Sequence, residues 1–146
     1  MSDLASMHRE AFYTLCDELI YTGMSRAVWT SKMLPDCVIK VEERSRMFQN
    51  IVEWETWQRV KDTPLSRWFA ECKFISPGGS VLVMERTRPA SDREYPQKMP
   101  AFLNDFKRRN FGMVGKHLVC HDYGITDLIS HGASKRMVNA KWSDCA

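Results

Sequence analysis

Residues 105–124 read DFKRRNFGMVGKHLVCHDYG, and the rest of the chain is read outward from them. Two apolar runs, Phe111 to Val114 and His117 to His121, flank Gly115-Lys116. A glycine-containing break between two β-prone runs is a hairpin signal. Asp105 and Asn110 precede the first run, and Asp122-Tyr123-Gly124 closes the second.

Upstream, Lys73 to Ser76 and Ser80 to Arg86 flank Pro77-Gly78-Gly79 and predict another hairpin. Residues 87–100 hold Pro89, Pro96 and Pro100 among many charges and read as a loop or linker, with a short helix expected over Ala101 to Phe106. Arg44 to Asp62 contains no Gly or Pro and suits a long helix, with Met47, Phe48, Ile51, Val52 and Trp54 on a broad apolar face. Thr63-Pro64 stops it, because proline disfavours helical geometry in the residue before it. Leu65 to Cys72 fits either helix or strand.

Cys37 to Val41 is a mostly apolar strand behind the turn Leu34-Pro35-Asp36, and Tyr21 to Met33 reads as two short strands turning near Thr22-Gly23. Leu4, Met7, Ala11, Leu15 and Leu19 recur at helical spacing, which predicts a helix over 3–20 with Asp3 as its cap. The tail from Gly124 to Ala146 is at best weakly helical. Helices and antiparallel strands that do not strictly alternate give an α+β class with a small antiparallel sheet.

The chain has 146 residues, a one-domain length, with 44% hydrophobic and 27% charged residues. That composition excludes wholesale disorder. No apolar run is long enough for a transmembrane helix, and Met1 to Glu10 lacks the apolar core of a secretory signal. A net charge of +3 is too small to indicate nucleic acid or an anionic membrane. Five cysteines, at 16, 37, 72, 120 and 145, form no Cys-x-x-Cys pair, which fits reduced thiols in a cytoplasm.

Taken in order, Val38-Ile39-Lys40-Val41, the helix bearing Glu53, Asp105-x-x-x-x-Asn110 and Asp122-Tyr123-Gly124 resemble the signature set of protein kinases. The chain is similar to a shortened, phage-type protein-kinase-like protein over residues 19–124. The stretch Tyr21 to Trp29 resembles a degenerate glycine-rich loop, with Gly23, Ser25 and Val28 at nucleotide-binding positions. The resemblance implies one kinase-like domain over 1–146: an N-lobe over 1–86 with one long helix on its sheet, a hinge and remnant C-lobe over 87–124, and a tail over 125–146.

It also implies ATP and Mg²⁺ as cofactors. Lys40 would meet the phosphates, held by a helix carboxylate. The family register gives Glu53, with Trp57 one turn on, whereas the apolar wheel points to Glu55. Asn110 and Asp122 would ligate the metal through oxygen, and Asp105 would take the proton of an acceptor hydroxyl. A phage setting implies action in the host cytoplasm.

The pattern departs from the family in four places. Leu103-Asn104 stands where His-Arg is usual, and only Gly23 survives of the glycine loop, with Tyr21 and Arg26 in the other registers. The interval from Arg86 to Asp105 leaves no room for two large helices, and no Ala-Pro-Glu follows Gly124. A catalytically inactive protein that binds a host or partner protein is therefore the alternative to a phosphotransferase.

A truncated lobe would also leave apolar surface for a partner or homodimer, with Met137 and Trp142 as candidates. Lys107-Arg108-Arg109 beside Phe106 and Phe111 offers cations with aromatics, but a solvated basic loop explains them better than nucleic acid. His117, Cys120 and His121 do not suit zinc, because Cys120 faces away from the two histidines on a strand.

Overall fold

A computed structural model describes residues 2–43, 47–124 and 135–144. The class is α+β: among the described residues there are two α-helices and a five-stranded antiparallel sheet, with two smaller two-stranded sheets. Contacts divide the chain into two units, Met1–Asn50 with Cys72–Arg86, and Ile51–Glu71 with Thr87–Ala146.

The first unit starts with α1 (Ser2–Leu15). The helix expected over 3–20 ends five residues early and begins before Asp3, so Asp3 lies within it. The cause of the early end is tertiary. Thr30 N–H donates to the Glu18 carbonyl at 2.8 Å, Asp17 N–H donates to the Thr30 carbonyl at 2.8 Å, and Glu18 N–H donates to Thr30 Oγ1 at 3.0 Å. These bonds lead Leu19 and Ile20 into β1 (Leu19–Thr22) rather than another helical turn.

The sheet continues with β2 (Arg26–Thr30), β3 (Cys37–Glu42), β4 (Cys72–Ile75) and β5 (Val81–Glu85), in the spatial order β1-β2-β3-β5-β4. Register assigns the faces, because residues directly opposite in an antiparallel pair share a side. Trp29 pairs with Ile39, and Ile39 with Val83. That face is apolar and is covered by α1 through Phe12, Leu15 and Cys16. The Phe12 and Trp29 rings meet edge to face at 5.2 Å.

The opposite face is polar at one end. Arg26 pairs with Glu42 and Val28 with Lys40, and Arg26, Lys40 and Glu42 are all buried. Helix α2 (Gln49–Val60) starts there. The Glu42 carboxylate accepts from the backbone N–H of Gln49 at 3.0 Å and of Asn50 at 2.9 Å, satisfying two of the donors a helix leaves unpaired at its start. Phe48, just before it, has a φ of 51°, a left-handed geometry unusual for a large side chain.

The buried positions of α2 are Asn50, Glu53, Thr56 and Val60, whereas Met47 and Phe48 are exposed. The apolar face expected from Met47, Phe48, Ile51, Val52 and Trp54 is therefore not the buried one. Polar residues that find partners displace it. Positions 44–46 of the expected helix lie outside the described residues.

The second unit holds a 3-10 turn over Pro64–Trp68 and the hairpin β7 (Phe111–Val114) with β8 (His117–Cys120). Gly115 turns the hairpin with a φ of 58°. Two expectations fail in this unit. Ala101 to Phe106 form a turn and extended chain, with Ala101 N–H donating to the Arg136 carbonyl at 2.9 Å. The tail supplies β9 (Met137–Asn139), antiparallel to β6 (Lys98–Pro100), rather than a weak helix. Tail positions 125–134, 145 and 146 lie outside the described residues.

Candidate functional site at the end of the β7–β8 hairpin

Each residue singled out from the sequence has a definite place in its unit. In the first, Gly23 and Ser25 form the β1–β2 turn, closed by Gly23 N–H donating to the Arg26 carbonyl at 2.8 Å. Ser25 Oγ donates to Gln49 Oε1 at 2.7 Å, and Arg26 donates to Asn50 Oδ1 at 3.1 Å. Asn50 Nδ2 in turn donates to the carbonyls of Lys40 at 3.1 Å and Gly79 at 3.0 Å. The turn is thus tied to the start of α2, and Val28 and Lys40 lie side by side across β2 and β3. Lys40 is only 3% exposed, so a snorkelling surface lysine does not describe it.

In the second unit the hairpin register brings the remaining residues together. Phe111 pairs with Cys120, and His121 N–H donates to the Asn110 carbonyl at 2.9 Å. Asn110 and Asp122 therefore stand at the same open end of the hairpin, one residue out of register. Asn110 Nδ2 donates to Asp105 Oδ2 at 3.1 Å, and Lys107 Nζ lies 3.6 Å from the same oxygen. Asn110 is buried, while the Asp105 side chain is 51% exposed. Asp105 is thus held by one hydrogen bond and one ion pair and still reaches solvent.

Glu53 and Tyr123 define the other side of Asp122. Of the two glutamates weighed for Lys40, Glu53 is fully buried and Glu55 exposed. Glu53 Oε2 accepts from Tyr123 N–H at 2.7 Å, and Tyr123 Oη donates to the Ala70 carbonyl at 2.7 Å. The Tyr123 ring packs edge to face on Phe69 at 4.9 Å. The residue after Asp122 is therefore fixed through its backbone, its ring and its hydroxyl.

No protein-family model matches this chain, and no curated protein matches it.

The donor set suits a hard divalent cation. Because Asp105 takes the amide nitrogen of Asn110, the amide oxygen is the end left for a metal, and Asp122 adds a carboxylate. Zinc is a poorer fit. His121 has Nε2 2.6 Å from the Arg109 carbonyl and Nδ1 2.7 Å from Thr87 Oγ1, so both ring nitrogens are occupied. Among the described residues no group of three or more His, Cys, Asp or Glu is arranged to hold a metal. A cation here would draw its remaining ligands from nucleotide phosphates and water, as Mg²⁺ commonly does.

The basic stretch beside the site is largely committed within its own unit. Arg108 lies 3.5 Å from both Asp92 and Asp144 and stacks over Tyr95 at 5.2 Å. Trp142, expected as an exposed partner contact, packs against Tyr95, Phe106 and Phe111 and donates to the Pro96 carbonyl at 2.7 Å. That expectation is corrected. An aromatic flanked by tail charges finds its partners in the loop the tail pairs with. Met137 is exposed. The four described cysteines, Cys16, Cys37, Cys72 and Cys120, are buried, and burial pushes the Cys16 thiol up.

The sequence reading gave no functional part to Thr87 or Gly112, and weighed His121 only as a metal ligand. A glycine inside a strand was the available signal for one of them, since such glycines often mark a close backbone approach.

Proposed function

We propose that the protein is a minimal kinase-like protein that binds Mg²⁺-ATP and transfers phosphate to a protein hydroxyl. What carries this reading is the shared end of the β7–β8 hairpin, where Asn110 and Asp122 stand one residue out of register and Asn110 donates to Asp105. Mg²⁺ would neutralise phosphate charge and draw on the oxygens of Asn110 and Asp122. Lys40 would supply an ammonium to the phosphates, and Gly23, Ser25 and Val28 would line the nucleotide from the β1–β2 turn and β2. Asp105, exposed and oriented by its bond from Asn110 and its ion pair with Lys107, would accept the hydroxyl proton. Positioning and charge neutralisation are most of what phosphoryl transfer needs from a protein.

A catalytically inactive partner-binding protein, acting on a host protein or a second copy of itself, is the competing reading. It is favoured by β1, an edge strand whose Leu19, Ile20 and Tyr21 are exposed beside a fully exposed Met24. Among the described residues no helix is long and apolar enough to cross a membrane. The proposed place of action is a host cytoplasm.

Titration of Mg²⁺-ATP by calorimetry separates the two readings. Micromolar binding that is lost in both Lys40→Ala and Asp122→Ala supports the nucleotide site. An absence of binding at millimolar ATP overturns it in favour of the partner-binding protein.

A further inference from the structure

The four-residue arrangement of Gly112, Thr87, His121 and Arg109 is built around one imidazole. His121 Nε2 is 2.6 Å from the Arg109 carbonyl, and a carbonyl only accepts, so Nε2 carries the proton. In the neutral ring Nδ1 then accepts from the Thr87 hydroxyl, 2.7 Å away. The backbone N–H of the same residue donates to the Asn110 carbonyl at 2.9 Å. One residue therefore holds the carbonyls on both sides of the Asn110 Cα. The next residue in the chain is Asp122.

Thr87 reaches the ring because β7 leaves room for it. A Cβ at Gly112 would overlap Thr87 Oγ1 and would lie 2.6 Å from Thr87 Cβ. Arg88, the neighbour of Thr87, exchanges both backbone bonds with Met113, at 3.0 and 2.8 Å. Thr87 is thus placed by the bridge its neighbour makes to β7, and glycine at 112 leaves room for its side chain.

We propose that His121 is a positioning residue, which holds Asn110 and Asp122 in the relation that lets them share one divalent cation. The proposal rests on the Mg²⁺-ATP reading above. His121 anchors the 105–110 stretch from its C-terminal end, through the Arg109 and Asn110 carbonyls. Residues that orient metal ligands in this way typically matter about 10–100-fold in metal affinity.

The test measures the Mg²⁺ dependence of binding of a non-hydrolysable ATP analogue, by calorimetry on the whole chain. It compares the wild type with His121→Ala, His121→Gln and Thr87→Val, and follows urea unfolding in parallel. His121→Ala is expected to raise the Mg²⁺ requirement about 10–100-fold while leaving Mg²⁺-free nucleotide affinity unchanged. His121→Gln, which keeps a donor for the Arg109 carbonyl, is expected to recover most of the loss. Thr87→Val is expected to show a smaller loss, absent when His121 is already alanine.

An unchanged Mg²⁺ requirement in His121→Ala overturns the proposal and leaves the nucleotide site standing. So does an equal loss in the Ala and Gln variants that tracks lost stability. A wild-type protein that takes no Mg²⁺-nucleotide overturns the underlying reading, and the wild-type arm alone reveals it.

Discussion

The β2–β3 sheet and the open end of the β7–β8 hairpin both hold polar side chains, on opposite terms. In the sheet, Glu42 and Asn50 are buried and spend their bonds on backbone groups: two helix N–H donors and the carbonyls of Lys40 and Gly79. Nothing in that set of bonds reaches out to a ligand. At the hairpin end the bonds run the other way. His121, Glu53 and Ala70 fix the backbone and side chains around Asp122, while Asp105 is fixed and yet half in solvent. Buried polar groups that satisfy one another specify a fold, and exposed ones held from behind are set up for chemistry.

The comparison breaks most clearly at Asp105. Asp105→Asn retains an acceptor for Asn110 and is expected to change stability by about 1 kcal/mol or less. It should lower phosphate transfer by about 10²–10⁴-fold in a radiolabel assay, the range for losing a general base.

Glu42→Ala should do the reverse. It strands two N–H groups at the start of α2 and is expected to cost about 3 kcal/mol in urea denaturation. A loss below 1 kcal/mol would mean that the sheet network is less structural than its burial implies.

Tyr123→Phe removes the bond to the buried Ala70 carbonyl and keeps the ring on Phe69. The expected loss is about 1–2 kcal/mol, read from the same denaturation curves.

The smallest effect belongs to an exposed pair, Arg88 and Glu94. Arg88 donates to both Glu94 oxygens, at 3.1 and 2.7 Å, and holds its carboxyl down to about 2, aided by Ser91. A depressed carboxylate contributes stability that is full above the ordinary carboxylate range and is lost as pH falls through about 2. An NMR titration should place Glu94 near 2 in the wild type and back in the ordinary range in Arg88→Ala. The stability change should be slight, because the pair is exposed.

How much of this was legible follows from what each element depends on. The hairpin could be read because its turn and both strands are local. The Asp105, Asn110 and Asp122 set rests on the order of motifs in the resemblance, and the hairpin brings Asn110 and Asp122 to one end. Strand β9 could not, since its partner Lys98–Pro100 lies some forty residues away and contains a proline. The buried face of α2 was misread because the apolar periodicity of Met47 to Trp54 competes with a polar stripe whose partners lie elsewhere in the chain. On that helix Glu53 is buried and Glu55 exposed, the reverse of what the apolar wheel implies. His121 was visible only as a histidine beside Asp122. Its two bonds depend on Thr87 and Arg109, which no local pattern connects to it.

The central claim is that the hairpin end, and not the sheet network, takes the cation. Mn²⁺ with ATP, added to ¹⁵N-labelled protein, tests it through paramagnetic broadening of backbone amides. The account predicts that Asn110, Asp122 and Tyr123 broaden first, at substoichiometric Mn²⁺, and that an Asp122→Ala variant loses the effect. Broadening spread over surface carboxylates such as Asp92 and Asp144, with Asn110 and Asp122 unaffected, would contradict it.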